Sequence, residues 1–318
     1  TETDVRPPQK LLMSFVVPHL LGLATLAALM YATGWLLETL GATFPELCLS
    51  RLIARIAVGS IAWIYALFAL AAVGAYRPLH VLLLAAGVVA ALLVRLRLTA
   101  RARAQRSAPL AWSRSFRALG FDALAALVPA AILLSLVVRG SAWTVGWDDD
   151  VYHLVLPKLY LRHGGFVRVP FNVYSHWPHN VELLFGLAMI LDDYVLAKLV
   201  HTGYLALLVT AVYQLSRRHC SRPIASLASL LVLGNDVVLY EGAVANIDIA
   251  FAFYFLLALA CADVYLREQT PGALVWSGVF CGALAGTKLS GLAGVACISG
   301  LLLLRGGGQL LRPRELGR

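Results

Sequence analysis

Long apolar stretches separated by short polar segments run along most of this chain. A helix needs about 20 apolar residues to cross a bilayer core of about 30 Å, and its backbone groups must bond within the helix because lipid offers no partners. The pattern therefore predicts an all-α fold, a polytopic transmembrane helical bundle with about nine spans. The predicted spans are 11–37, 52–75, 78–95, 118–139, 195–215, 223–240, 246–266, 273–287 and 289–304.

One further apolar segment, 180–191, lies between "SHWPHN" and "DDY" and is too short to cross the membrane. It is typical of an interfacial or re-entrant helix. The segment 95–117 carries seven arginines and no acid, which indicates a cytoplasmic loop by the positive-inside rule. The basic loops 216–222 and 305–318 should lie on the same side. The span 118–139 then runs outward and the span 195–215 returns, so the segment 140–194 between them is a large external loop.

Composition supports a membrane protein: 60% of the 318 residues are apolar, 14% are charged, and the mean hydropathy is +0.78. We interpret the net charge of +9 as a topology signal rather than a nucleic-acid surface. Five scattered cysteines without C-x-x-C spacing indicate neither a disulfide framework nor a zinc site. The chain also lacks the Gly-rich loops that bind nucleotides.

The external loop begins with "GWDDDVYHLVLPK", residues 146–158, in which Asp148, Asp149 and Asp150 are adjacent. Mutual repulsion raises the pKa of at least one carboxyl group, which favours proton transfer or attracts a cation. The alternative is a solvated acidic turn that caps the following helix. Because no ligand spacing joins these acids to nearby histidines, we predict no dedicated metal site, although a divalent cation is compatible with the cluster.

Two segments of the external loop carry further polar side chains. Along "VYHLVLPKLYLRHGG" the apolar positions leave Lys158, Arg162 and His163 facing lipid headgroups, either as an anchor on anionic lipid or as a cradle for a lipid-linked phosphate. The next segment is either an ordinary aromatic belt or a surface for sugar and phosphate. Its polar and aromatic residues are Tyr174, His176, Trp177, His179 and Glu182.

Three charged residues lie at the predicted outer ends of later helices: Lys198, Asp248 and Lys288. Ionisable groups at membrane depth are usually functional or paired. Structural pairing, for example of Asp248 with a lysine, and a functional role both remain open. All three fall on the side that carries the acidic motif.

Five separated blocks resemble the conserved module of GT-C superfamily glycosyltransferases, among them bacterial mannosyltransferase-like and aminoarabinose-transferase-like membrane enzymes. The blocks are "WDDDVYHLVLPKLYLRHG", "PFNVYSHWPHNVELLFGLAMIL", "AKLVHTGYLALLVTAVYQLSRR", "NIDIAFAFYFLLALA" and "GALAGTKLSGL". The resemblance covers about residues 118–304 and does not include the first three predicted spans.

The resemblance implies an inverting enzyme at the outer face of a bacterial inner membrane, which transfers a sugar from a polyprenyl-phosphate carrier to a lipid, glycan or protein acceptor. The family's D-x-x-x-Y pattern falls on Asp148 and Tyr152, so Asp148 is the expected base, with Asp149 and Tyr152 beside it. Segments 151–163 and 180–191 would be juxtamembrane helices. The expected substrate-binding residues are His153, Lys158, His176, Trp177, Glu182, Lys198, Asp248 and Lys288.

In this interpretation Lys158, Lys198 and Lys288 stabilise the leaving phosphate, since cations stabilise the negative charge that develops on a departing anion. No cofactor is required. The expected partners are the lipid-linked sugar, membrane lipids and a second membrane subunit, with no nucleic acid.

The predicted domain organisation has three parts. Residues 1–117 form an N-terminal three-helix extension with a basic cytoplasmic loop, 118–304 form the GT-C-like module, and 305–318 form a basic tail. Family members usually continue with more spans, so we expect the tail to be truncated relative to them. The alternative function is a non-catalytic membrane scaffold or complex subunit. A transporter is the third and least favoured hypothesis. Transporter sites typically lie near the membrane midplane, whereas the charged residues of this chain gather at one face.

Overall fold

A computed structural model describes residues 8–42, 49–104, 116–142 and 146–310 of the chain. The described residues form an all-α fold with twelve α-helices and no strand, as the hydropathy pattern predicts. The helices are α1 (Pro8–Thr39), α2 (Arg51–Ala72), α3 (Pro78–Ala104), α4 (Phe116–Gly140), α5 (Val155–His163), α6 (Asn180–Leu191), α7 (Tyr194–Ser216), α8 (Arg222–Leu233), α9 (Asp236–Glu241), α10 (Asp248–Glu268), α11 (Pro271–Thr287) and α12 (Gly291–Leu310).

Five helices among the described residues are long and apolar enough to cross a bilayer. They are Val16–Thr39, Arg51–Ala72, Pro78–Thr99, Tyr194–Ser216 and Asp248–Glu268. The protein is therefore an integral membrane protein. The other four predicted spans coincide with shorter apolar helices, at Leu127–Gly140, Arg222–Leu233, Pro271–Thr287 and Gly291–Arg305, and their crossing of the membrane stays a prediction.

Several helix boundaries differ from the sequence prediction. The predicted span 223–240 is broken into α8 and α9, because Asn235 caps a new helix by accepting hydrogen bonds from the backbone N–H groups of Val237 (2.9 Å) and Val238 (3.4 Å). The predicted end of the third span at residue 95 is also too early. Helix α3 continues to Ala104, so the first arginines of the basic segment are helical, while 105–115 lie outside the described residues.

Helix α6 has the bounds that its flanking polar residues predict, and it is enclosed by protein. Its residues from Asn180 to Ala188 are all buried, and the helix packs against α2, α5, α7 and α11. A Cβ atom at Gly286 of α11 would lie 1.9 Å from Asn180 Nδ2, so a larger residue there would displace the Asn180 side chain. Whether the helix is interfacial or re-entrant stays a prediction.

The N-terminal helices share one core with the rest of the bundle. Helices α1 and α2 pack on each other, α1 also packs on α7, and α2 packs on α6. Three buried hydroxyl groups join the two parts: Tyr254 Oη lies 3.0 Å from Ser60 Oγ and 2.7 Å from Tyr204 Oη. Such satisfied polar networks are favourable in a low-dielectric interior and fix the relative positions of α2, α7 and α10.

Helices α1 and α2 cross at two glycines. A Cβ atom at Gly59 would lie 1.8 Å from the carbonyl oxygen of Met30, and one at Gly34 would lie 2.0 Å from that of Arg55. Small residues allow this close backbone approach in membrane helices.

We expect Gly59→Ala to destabilise the protein by about 2 kcal/mol or more, because the new methyl group overlaps backbone atoms that cannot move without separating the helices. Gly87→Ala in α3 is the matched control, since no heavy atom lies within 4 Å of its Cβ position. The apparent melting temperature in detergent should fall for the first variant only. Equal melting temperatures would show that the crossing is looser than the structure indicates.

Candidate functional site

The acidic motif folds as a single π-helical turn, Asp149–His153, between α4 and α5. The N–H of Leu154 donates to the carbonyl oxygen of Asp149 at 3.0 Å, five residues earlier. Such turns are rare and frequently occur at functional sites. The extra residue in the turn directs Tyr152 and His153 into the protein, where both are buried.

The three aspartates occupy different environments. Asp149 is 1% exposed; its Oδ2 accepts a hydrogen bond from the backbone of Gly146 at 2.9 Å, and its buried Oδ1 has no hydrogen-bond partner in the described part of the chain. Asp148 occupies the helix-cap position without making a capping bond, and it is partly exposed. Asp150 is exposed. The alternative of a capping acidic turn therefore finds no support in the side-chain bonds of Asp148.

His153 and Glu182 form a buried pair that connects the π turn to α6. His153 Nδ1 lies 2.9 Å from Glu182 Oε1, and the two side chains are 0% and 1% exposed. Within the residues described, His153 Nε2 and Glu182 Oε2 are buried without a hydrogen bond. Buried polar atoms normally have a partner, so this centre holds bonding capacity that a ligand or water can use.

Three aromatic rings lie beside this pair. Tyr152 and Tyr174 stack with ring centroids 4.3 Å apart and an interplanar angle of 11°, and the Trp177 ring meets Tyr174 edge-on at 4.7 Å. Asn172 holds the loop in place because its side-chain amide donates to the carbonyl of Val151 at 2.9 Å. Burial, and then the carboxylate of Asp148, raises the pKa of Tyr152, so its phenol stays protonated.

His179 adds a second imidazole near Glu182. Its Nδ1 lies 3.2 Å from Tyr160 Oη, while its Nε2 is buried without a hydrogen bond among the described residues. Burial lowers the pKa of His179, because the low-dielectric surroundings disfavour the imidazolium. The lowered pKa favours the neutral ring, which also interacts with the backbone of Tyr174.

These groups meet in a narrow pocket. Its lining residues are Tyr152, Trp177, Pro178, His179, Glu182, Ile247, Thr287, Lys288 and Leu289. Lys288 Nζ lies 2.7 Å from Asp248 Oδ1, so the structural pairing of Asp248 with a lysine is present. The two side chains remain 35% and 41% exposed, which leaves the ammonium group accessible from the pocket.

Glu241, at the end of α9, belongs to the same electrostatic environment, and sequence reasoning missed it. Burial and the neighbouring carboxylate of Asp248 raise the pKa of Glu241 to about 7. Its Oε2 is buried without a hydrogen bond in the described part of the structure. The sequence feature that could have identified Glu241 is its position as a lone glutamate at the predicted outer end of span 223–240.

The shifted pKa of Glu241 predicts a pH-dependent stability. The folded state holds this proton up to about pH 7, whereas the unfolded chain releases it near the ordinary value of 4.5, so stability falls as pH rises between these values. We expect Glu241→Gln to raise the melting temperature relative to the parent at about pH 8 and not at about pH 4.5. Exposed Glu268→Gln is the control. If Glu241→Gln changed the melting temperature by the same amount at both pH values, the raised pKa of Glu241 would be contradicted.

A second, larger cavity of ≈ 480 Å³ lies beside α5. Its lining residues are Pro78, Asp150, Leu154, Val155, Lys158, Leu161, Arg162, Met189, Asp193 and Tyr194. Lys158 and Arg162 are one helical turn apart and both exposed, as the sequence predicts for the polar face of this helix. Cations next to apolar walls suit an amphiphilic anion.

Six predicted site residues line neither cavity: Asp148, Asp149, His153, His176, Lys198 and Asp248. Lys198 is fully buried; its ammonium group donates to the carbonyl of Ala142 and lies 5.6 Å from the Tyr194 ring centroid. It therefore positions the segment that precedes the acidic motif. His176 is exposed, and its Nε2 accepts a hydrogen bond from Arg168 at 3.1 Å.

The fold and these side chains define an all-α integral membrane protein with a buried acid and imidazole centre next to a pocket of aromatic and charged residues. Comparison with known proteins finds no match, neither to a family model nor to a curated protein or a solved structure. The function therefore has to be argued from the site itself.

Proposed function

We propose that the protein is a glycosyltransferase that moves a sugar from a polyprenyl-phosphate carrier to an acceptor on the outer membrane face, with inversion of the anomeric centre. The observation that carries the proposal is the lining of the narrow pocket, where Trp177, Glu182 and Lys288 meet next to the acidic π turn. At ≈ 10 Å³ the closed pocket holds no more than about one water molecule, so the proposal requires that it opens when a sugar binds. An aromatic ring, a carboxylate, an imidazole and a cation in one pocket suit a sugar that bears a phosphate.

The pocket offers the sugar two kinds of contact. The face of Trp177, which is 38% exposed, is available for the apolar C–H face of a pyranose ring. Glu182 Oε2 is buried without a hydrogen bond within the described chain, so it can accept one from a sugar hydroxyl group once the pocket opens. Buried polar atoms that a substrate completes give strong discrimination, because an analogue without the hydroxyl leaves them unpaired.

Asp148 is the proposed base. In a single displacement, the acceptor hydroxyl oxygen bonds to the anomeric carbon, the bond from that carbon to the phosphate oxygen breaks, and the hydroxyl proton passes to the Asp148 carboxylate. The side chain suits this role because it is partly exposed and makes no capping bond. Asp149, held against Gly146, keeps the turn in shape, and the protonated Tyr152 phenol is a neutral donor beside it.

The leaving carrier phosphate fits the larger cavity. Lys158 and Arg162 supply positive charge for the departing oxyanion, and Leu154, Leu161 and Met189 supply apolar wall for the first units of the prenyl chain. Asp150 lines this cavity and lies two residues after Asp148 in the motif, which connects the two parts of the proposed site.

The test is a transfer assay in membranes that carry the chain, with a panel of radiolabelled polyprenyl-phosphate sugars as donors. We expect label to move to an acceptor from one donor, and not in membranes that lack the protein. If a correctly folded chain transfers label from none of the donors, the proposal fails and the non-catalytic scaffold becomes the better description.

A further inference from the structure

A histidine and two aspartates from distant parts of the chain meet at the edge of the larger cavity. His19 of α1 faces Asp192 and Asp193, the two residues between α6 and α7. His19 Nε2 lies 3.2 Å from Asp193 Oδ1 and 3.6 Å from Asp192 Oδ2, and one ligand atom from each residue lies within 4.8 Å of the others. His19 is 5% exposed, whereas the two aspartate side chains are 34% and 35% exposed.

These separations suit a shared cation. Metal bonds to imidazole nitrogen and carboxylate oxygen are about 2.0–2.2 Å long, so two ligands at tetrahedral or octahedral angles lie about 3.0–3.6 Å apart. The two distances from His19 Nε2, 3.2 Å to Asp193 and 3.6 Å to Asp192, lie within that range. One imidazole with two carboxylates is a donor set that Zn²⁺ and Mn²⁺ accept.

We propose that His19, Asp192 and Asp193 bind a divalent metal ion of the Zn²⁺ or Mn²⁺ class, which joins α1 to the turn between α6 and α7. Two adjacent carboxylates against one imidazole leave an excess of negative charge even when the imidazole is protonated. A divalent cation neutralises that charge. Lys198 donates to the Ala142 carbonyl and also interacts electrostatically with Asp193, so it supplies part of the compensating positive charge.

Asp193 is held in position before any ion binds. Its Oδ1 accepts hydrogen bonds from the backbone N–H groups of Val195 (2.7 Å) and Leu196 (3.3 Å) and so caps α7. An ionised carboxylate has about four lone-pair sites, so the cap, which uses Oδ1, leaves Oδ2 for a metal. Preorganised ligands lose less conformational entropy on binding.

The site borders the larger cavity, because Asp193 also lines it together with Asp150, Lys158 and Arg162. Three protein ligands leave coordination positions open, as in catalytic metal sites. The metal site itself does not rest on the proposed function, since ion binding is measured without donor or acceptor.

The experiment uses the full chain, purified in detergent and stripped with a chelator. Mn²⁺ is titrated while free Mn²⁺ is followed by electron paramagnetic resonance, and Zn²⁺ is then added as a competitor. We expect one equivalent of Mn²⁺ to bind and Zn²⁺ to displace it. The variant Asp192→Asn/Asp193→Asn should bind at least about tenfold more weakly, because ligand charge is lost.

The variants are chosen so that loss of folding cannot imitate loss of metal. In Asp193→Asn the amide oxygen would still accept the capping bonds, and Asp192→Asn alone changes a residue that is not the cap. His19→Gln should weaken binding as well. The matched controls are His80→Gln and Asp236→Asn, two exposed residues that should leave binding unchanged.

Absence of Mn²⁺ or Zn²⁺ binding by the folded parent would overturn the proposal. So would equal affinity in the parent and the Asp192→Asn/Asp193→Asn variant. A plain ion pair between His19 and the carboxylates predicts that the variants melt at lower temperature while added metal stabilises no form of the protein. The metal site predicts that added Mn²⁺ raises the melting temperature of the parent alone.

Discussion

Replacing Asp148 with asparagine is expected to lower sugar transfer by about 100- to 10,000-fold, the usual contribution of a positioned general base. The amide has nearly the shape of the carboxylate but cannot accept the acceptor's proton. Because Asp148 is partly exposed and makes no capping bond, the substitution should leave the melting temperature and donor binding close to those of the parent. The measurement is initial transfer rate at saturating donor, in membranes with matched protein levels.

Asp149→Asn provides the contrast within the same motif. Asp149 is buried and holds Gly146, so its loss should lower stability together with activity. Asp236→Asn, an exposed change at the start of α9, should alter neither. Full activity in Asp148→Asn would remove this residue from the mechanism. A loss of activity that follows the melting temperature in all three variants would assign Asp148 a structural role instead.

The helical elements were largely predictable because hydropathy and length determine them directly. Segment 180–191 was predicted with the bounds of α6, since polar residues flank a short apolar run on both sides. The break between α8 and α9 was not predicted, although "GND" at 234–236 carries the cap residue Asn235. The π turn was also missed, because its hydrogen bond to the fifth residue has no simple sequence pattern.

Contacts between distant segments account for most of what the sequence did not reveal about the site. The pairing of Asp248 with Lys288 was one of two alternatives, and only the packing of α10 against α11 brings these residues together. Nothing local connects His19 with Asp192, since they lie on α1 and after α6. Lys198, predicted as a phosphate partner, donates to the backbone carbonyl of Ala142, a contact that no local sequence pattern indicates.

Loss of one member of the buried His153 and Glu182 pair is expected to be the most destabilising single change at the site. Both side chains are at most 1% exposed and their polar atoms are 2.9 Å apart. Removing one partner leaves a buried polar or charged group uncompensated, which typically costs about 3–5 kcal/mol. We therefore expect Glu182→Ala to lower the free energy of unfolding by that amount.

The pair of Asp248 with Lys288 is the natural comparison, because its atoms are 2.7 Å apart but its side chains are 41% and 35% exposed. Solvent screens such pairs, so Asp248→Ala should cost no more than about 1 kcal/mol. Burial rather than distance would then explain the difference between two pairs of similar geometry. The measurement is equilibrium unfolding in mixed micelles, read by far-UV circular dichroism.

A double-mutant cycle separates the pair from the cavity that alanine creates. If His153 and Glu182 stabilise the fold together, His153→Ala/Glu182→Ala should cost less than the sum of the two single variants, by about 1 kcal/mol or more, because no uncompensated partner remains. Additive costs would instead mean that each side chain acts through packing alone. Apolar contacts would then join the π turn to α6. The hydrogen bond between His153 and Glu182 would not be what holds the wall of the proposed sugar pocket in place.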